Sequence, residues 1–324
     1  MVWLLTPLAR KVNLVDRSDH GQRFGFSVPT LGGLAIYSSV VLVSIVWPMG
    51  EWATLGIFFS GAIVAIGLLD DLNGLGIKTR LLLQTGVSLA MLVNAQLWVT
   101  SLGKELEFFD PIFGSLGLPL TTFALVGLIN AYNMLDGIDG LASGQFVITA
   151  LSLGLAIVFE ESSGAAYQPL IIVCAIVLAF WLVNVGVTPL CPVYLGDSGS
   201  TLLGLLTGWI LIAWTQSDLP QILPIAALWC VFLPIADTIS VVISRLLGGL
   251  SPFHGDRRHL HHKLLDCGYS RYQVLGFLLV FSLSVNFTGI AVTYLGSQVL
   301  GICTFILLVT VFSYVSNRQV NFKR

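Results

Sequence analysis

Apolar runs recur along the chain at the length that crosses a bilayer. Segments near 28–49, 52–69, 81–100, 119–135, 141–159, 168–187, 199–214, 222–247, 273–294 and 298–316 are each mostly apolar, and about 20 such residues span a hydrocarbon core. The pattern predicts an all-α polytopic transmembrane helix bundle of about ten to eleven spans. The eleventh would come from 2–9, which ends at Arg10 and Lys11 and is too short to span alone. We expect either a true start upstream or, less favoured, half of a helix continuing through Val12–Val15. Without repeats or low-complexity linkers, residues 1–324 read as a single membrane domain.

Composition removes the soluble alternative. Hydrophobic residues make up 56% of the chain and charged residues 10%, against about 25% charged in a soluble domain; mean hydropathy is +0.89. The net charge of -2 says nothing of partners, and no basic run suggests nucleic acid. The five cysteines (Cys174, Cys191, Cys230, Cys267, Cys303) form no CxxC pair and are odd in number, which argues against a disulfide framework or a zinc ribbon. Val2–Ala9 has no basic stretch before it and no clear cleavage site after it, so no cleavable signal is evident.

Charge placement orients the bundle. If alternate loops are cytoplasmic, all but Lys104 of the 15 Lys and Arg residues fall inside, as the positive-inside rule requires. The loops 10–27, 70–80, 136–140, 188–198 and 248–272 then share the cytoplasmic side. They are also the loops that carry chemistry.

Four clusters stand out. Asp70-Asp71, with Lys78 and Arg80 after it, places adjacent carboxylates at a membrane border, where they repel unless a cation or shared proton compensates; a solvated loop cap is the bland alternative. Asn130, Asn133 and Asp136 share a helix face by their spacing, and Asp139 follows between two glycines; such polar groups in lipid usually mark a functional site, with helix capping as the alternative. Tyr194-Leu195-Gly196-Asp197-Ser198-Gly199-Ser200 precedes an apolar helix. Free amides at that helix start favour phosphate oxygens, and Asp197 beside a phosphate is tolerable with Mg²⁺ between them. Asn184 could supply a neutral metal ligand, and a plain Asp/Ser cap competes with this reading. Asp256-Arg257-Arg258-His259-Leu260-His261-His262-Lys263 combines cations suited to a diphosphate with histidines that could bind zinc; a solvated basic loop is the third reading. Asp237, inside the 222–247 span, needs a partner, and Arg245 is a distant one. With no Ser-His-Asp set, P-loop or dinucleotide fingerprint, carboxylates for Mg²⁺ and cations for phosphates describe phosphoryl transfer, in a membrane because one substrate is lipid.

The chain resembles the polyprenyl-phosphate N-acetylhexosamine-1-phosphate transferases over nearly its whole length. The resemblance runs from Val15-Asp16 and Pro29-Thr30-Leu31-Gly32-Gly33 through the Asp-Asp pair, Asn-x-x-Asn-x-x-Asp-Gly-x-Asp-Gly and Gly-Asp-x-Gly-Ser to His-x-His-His. It implies a catalytic set of Asp70, Asp71 and Asp197, with Asp197 the Mg²⁺ ligand (Mn²⁺ substituting) and Asp70 the base toward the lipid phosphate. It implies a nucleotide site at Asn133, Asp136 and Asp139 (with Asn130 on the same face), Tyr194 stacked on uracil, and a diphosphate held by Arg257, Arg258, His259, His261 and His262. The implied partners are a UDP-N-acetylhexosamine, undecaprenyl phosphate and the bilayer; the implied location is the bacterial inner membrane, and a homodimer is allowed.

Subfamily marks refine this. The branch using UDP-MurNAc-pentapeptide has a Lys three residues after the Asp pair and three adjacent histidines; here stand Gly74 and Arg258-His259-Leu260-His261-His262. The chain looks more like the UDP-GlcNAc branch that initiates O-antigen, enterobacterial common antigen or teichoic-acid linkage units. It departs from the family in the first loop, where Gly21 and Phe24 hold the positions of an Arg and a His, with His20 and Arg23 displaced. An intramembrane aspartyl protease would need a Gly two residues before Gly196, where Tyr194 stands, and Asp237 as its second carboxylate. A transporter would place charges near the midplane rather than at one face.

Overall fold

The computed structural model describes residues 1–12, 14–15, 28–160, 167–188, 192–217, 221–252 and 257–318. Asp16, the first-loop positions 20–24, His254 and Asp256 lie outside the described residues. The regular structure of the described chain is helical. Its elements are α1 (Val2–Lys11), α2 (Gly32–Val46), α3 (Glu51–Asn73), α4 (Ile77–Ala95), α5 (Asp110–Leu135), α6 (Leu141–Glu160), α7 (Tyr167–Asn184), α8 (Gly196–Gln216), α9 (Pro224–Trp229), α10 (Phe232–Leu247), α11 (Leu260–Asp266), α12 (Arg271–Leu295) and α13 (Gln298–Arg318). A 3₁₀ turn, Lys104–Phe109, leads into α5. No β-strand occurs among the described residues; two isolated bridges pair Val15 with Pro29 and Thr30 with Tyr194.

Among the described residues, seven helices are long and apolar enough to cross a membrane: α3, α5 with its leading turn, α6, α7, α8, α12 and α13. The remaining apolar segments differ from expectation for local reasons. The 28–49 segment becomes helical only from Gly32, leaving 15 residues in α2. The 81–100 segment starts early, at Ile77, and so takes Lys78 and Arg80 into the first turn of α4. The 222–247 segment breaks between Trp229 and Phe232.

That break has a chemical cause. Pro234 has no N–H, so the carbonyl four residues back, at Cys230, loses its helical donor. Two side chains take its place: Thr149 Oγ1 donates to Cys230 O at 2.9 Å and Asn286 Nδ2 at 3.1 Å. Asn286 also donates to Ser152 Oγ at 3.0 Å, so polar groups inside α6 and α12 satisfy one another and the broken backbone.

By contacts between backbone positions the chain forms two compact units. One comprises Met1–Leu97, Thr122–Val147 and Gly164–Ile210; the other comprises Trp98–Thr121, Ile148–Ser163 and Leu211–Arg324. In the first, α2 packs on α3 and α7, and α3 packs on α4. In the second, α10, α12 and α13 pack on one another, and α9 sits against α12 and α13.

Helix α8 is the enclosed one, with 94% of its apolar window buried against 28% for α13. Small residues make this enclosure feasible, since backbones approach closely only where side chains are absent. At Gly67 a Cβ would stand 2.6 Å from the Ser198 backbone nitrogen. Gly67→Ala must therefore push α3 away from the start of α8, and overpacking of this kind costs about 1–3 kcal/mol. We expect a lowered thermal unfolding temperature for the purified Gly67→Ala protein, whereas Gly86→Ala, at a position open to space, leaves it unchanged.

Candidate active site

Asp70 and Asp71 close α3, and as helix neighbours they point about 100° apart. Each carboxylate meets a separate compensating group. Asp70 Oδ2 pairs with Arg80 Nη1 at 2.9 Å, and its Oδ1 accepts the Leu75 amide at 2.7 Å. Asp71 instead reaches α8: its oxygens accept the amides of Asp197 at 2.9 Å and Ser198 at 3.3 Å. It therefore caps α8 from another helix, at the positive end of that helix's dipole.

The chain itself supplies a cation beside the acidic pair, Arg80. One expectation changes. The amides of Asp197 and Ser198, expected to be free for phosphate, are taken by Asp71, because the chain enters α8 through Gly196 at φ +73° and brings the first amides onto α3. Only glycine takes that conformation readily, and a Cβ there would stand 2.9 Å from an Asp71 oxygen.

The end of α5 contributes the amides. Asn133 Nδ2 donates to Asp197 Oδ1 at 2.7 Å and to Ser200 Oγ at 3.0 Å. Asp70 and Arg80 lie near enough to act electrostatically on the Asp197 carboxyl. The structure thus gathers Asp70, Asp71, Asn133 and Asp197. Asn130, on the same face of α5, is drawn off: its Nδ2 donates to the buried Gln84 Oε1 at 2.8 Å and to Val126 O.

Asp136 and Asp139 sit in the turn after α5, both half-buried. Burial holds the Asp136 carboxyl well above the usual carboxylate range, and the charges of Asp139, Asp197 and Asp71 raise it further. Four acidic side chains therefore act on one another around this turn.

The turn is clamped from α7. Asn184 Oδ1 accepts the Gly140 amide at 2.7 Å, its Nδ2 donates to Val193 O at 2.9 Å, and Trp181 Nε1 donates to Gly140 O at 2.9 Å. Asn184, expected as a metal ligand, thus ties two motif loops together with both of its polar atoms. Tyr194 is fixed through its backbone, its amide donating to Pro29 O and its carbonyl accepting from Gly32.

A divalent cation fits this acidic set. Carboxylates and amide oxygens are hard donors, and Mg²⁺ is commonly held by one or two carboxylates with substrate phosphates and water completing its shell. Among the described residues no three His, Cys, Asp or Glu side chains are arranged as a metal cage.

The histidine motif lies in the other unit, at the start of α11. His259 Nδ1 meets Asp237 Oδ2 at 2.7 Å, and Asp237 Oδ1 accepts the Leu260 amide at 2.9 Å. The partner of Asp237 is therefore His259; Arg245 turns instead to Pro252 O at 2.7 Å. The rings of His259 and His261 stack at 5.8 Å, and those of His261 and His262 lie 4.2 Å apart. His261 is 1% exposed, and neither of its ring nitrogens has a hydrogen-bond partner. Burial and the neighbouring imidazoles push it down to about 3, so it is neutral at physiological pH. Arg258 Nη1 donates to Ser244 O at 2.9 Å, Arg257 pairs with Asp266 at the surface, and Lys263 Nζ donates to Ser316 O at 3.0 Å.

Arg80, Gln84, Trp181 and Asp237 were not among the expected site residues. Arg80 and Asp237 carried a sequence signal, the first as a cation just after the acidic pair and the second as a lone carboxylate in an apolar stretch that demands a partner; Gln84 and Trp181 carried none.

The chain is a polytopic helical membrane protein in which acidic side chains and an amide gather where the ends of α3 and α5 meet the start of α8, a set of groups suited to an enzyme that holds a cation beside phosphates. Residues 53–215 match the model of glycosyl transferase family 4. The chain belongs to this family. It is 34% identical over 268 residues to the undecaprenyl-phosphate alpha-N-acetylglucosaminyl 1-phosphate transferase of Escherichia coli K12, covering 82% of this chain and 73% of the relative. Proteins of the same name from Salmonella typhi (30% over 297 residues, 90% and 79%) and Pasteurella multocida Pm70 (31% over 320 residues, 97% and 89%) are also similar.

Proposed function

We propose that this chain transfers N-acetylglucosamine-1-phosphate from UDP-GlcNAc to undecaprenyl phosphate, releasing UMP and leaving a lipid-diphosphate-linked sugar. The observation that carries this is similarity across most of the chain to relatives named for that transfer. The Asp70–Arg80 pair and the Asn133–Asp197 bond fit it, because phosphoryl transfer needs positioned charge more than covalent chemistry.

Asp70 takes the proton of the lipid phosphate as that oxygen attacks. Asn133 fixes the Asp197 carboxylate, and Asp136 and Asp139 line the nucleotide site, with Tyr194 against the uracil. Arg257, Arg258, His259, His261 and His262 grip the diphosphate. A bound Mg²⁺, or Mn²⁺ in its place, would be held by Asp197 and would neutralise charge developing on the phosphates. The enzyme lies in the bacterial inner membrane with its catalytic loops cytoplasmic; the bias of Lys and Arg toward one set of loops supports that orientation.

One experiment tests activity and orientation together. UDP-GlcNAc is charged and does not cross a sealed bilayer. Inside-out vesicles given radiolabelled UDP-GlcNAc and undecaprenyl phosphate should yield lipid-extractable label, while sealed right-side-out vesicles should not until permeabilised. Label from UDP-GalNAc alone would change the sugar, and label in intact right-side-out vesicles would reverse the topology.

A further inference from the structure

We propose that Asp237 is a positioning residue for the sugar-nucleotide site: it holds His259 with Nδ1 protonated, so that Nε2 is the ring atom offered to the nucleotide's diphosphate. The inference rests on the transferase reading of the histidine motif.

Asp237 is 3% exposed and His259 5%, and they meet at 2.7 Å through Nδ1. A buried carboxylate is costly unless its oxygens are satisfied. Here both are, one by the His259 ring and one by the Leu260 amide at 2.9 Å. This pair of bonds fixes ring and backbone at once, leaving the imidazole neither rotation nor a choice of tautomer. Which nitrogen of a histidine carries the proton is set by the hydrogen bond at the other. An ionised carboxylate only accepts, so Nδ1 must donate. A diphosphate docking at Nε2 needs a second proton on the ring, and the carboxylate behind Nδ1 is the group that accommodates the resulting charge.

The alternative is purely structural, with Asp237 serving only to start α11 through Leu260. The two differ in what an amide at 237 does. The amide oxygen of Asp237→Asn can still accept from Leu260, but its NH₂ then faces Nδ1. The ring must respond by accepting there and carrying its proton on Nε2. A structural role leaves the ring's tautomer without consequence; a positioning role does not.

¹⁵N-histidine spectra of the purified protein decide this directly. The His259 signal, assigned by its loss in His259→Gln, should report a protonated Nδ1 in the wild type and an unprotonated Nδ1 in Asp237→Asn. In kinetics, Asp237→Asn should raise KM for UDP-GlcNAc by about tenfold, change kcat less, and leave KM for undecaprenyl phosphate unmoved. Combined with His259→Gln it should add nothing further, since both changes remove one device. An unprotonated His259 Nδ1 in the wild type, or additive effects in the double variant, would overturn the proposal. If Asp237→Asn fails to accumulate, the wild-type and His259→Gln spectra alone decide it. If the wild type does not use UDP-GlcNAc at all, the transferase reading fails, and the spectra still decide whether Asp237 sets the tautomer.

Discussion

Asp197→Asn should lower the turnover of sugar-phosphate transfer by at least ~10³-fold while leaving the fold intact. The two side chains have the same shape, and an Asn oxygen at 197 can still accept the Asn133 Nδ2 bond, which spans 2.7 Å in the native protein. The Asp197 amide is untouched and continues to bind Asp71. What disappears is one negative charge at the place proposed for the cation. A cation facing transferring phosphates contributes several kcal/mol to the transition state. The measurements are kcat by label transfer at saturating Mg²⁺, with EDTA and Mg²⁺ readdition as controls, and thermal unfolding of the purified variant. An unchanged unfolding temperature with turnover near wild type would remove Asp197 from the cation site.

Much of this architecture was legible because the bilayer restricts what a sequence can do. Long apolar runs must be helices, since only a helix satisfies its own backbone in lipid, and α3, α6, α7, α8, α12 and α13 fell where apolar length put them. Where a backbone could be satisfied by side chains from elsewhere, the pattern misled. Pro234 marks a break within 222–247, but the groups that satisfy the freed Cys230 carbonyl, Thr149 and Asn286, are distant in sequence and could not be read from that segment.

The site was legible as a set of residue types but not as a set of partners. Asn130 and Asn133 have the same spacing and chemistry. Only the structure separates them, because Gln84 faces one and Asp197 the other. Likewise the last turn of α3 announces two carboxylates, yet nothing local tells that one faces Arg80 while the other reaches across to α8. Contacts of that kind depend on which helices become neighbours, and apolar helix faces rich in Leu, Ile and Val carry little information about that choice.

The adjacent carboxylates of α3 should accordingly fail in different ways. Asp71 binds two amides at the start of α8. Asp71→Ala leaves both donors without a partner, at about 1–3 kcal/mol for each buried group left unsatisfied, and removes a charge that the helix dipole favours. The variant should unfold at a lower temperature, and its activity should fall because α8 carries Asp197 and Ser200 at its first turn. Asp70→Asn keeps an oxygen for Leu75 or Arg80 and should change stability little. Its proposed work is to receive a proton, and an amide cannot, so kcat should fall by at least ~10²-fold with KM for UDP-GlcNAc unchanged. Thermal unfolding and steady-state kinetics on the two variants side by side check this. If Asp71→Ala were as stable as wild type and Asp70→Asn equally active, neither the cap nor the base would stand. If Asp70→Asn instead raised KM for the nucleotide at constant kcat, Asp70 would be a donor-site residue and the base would lie elsewhere in the acidic cluster.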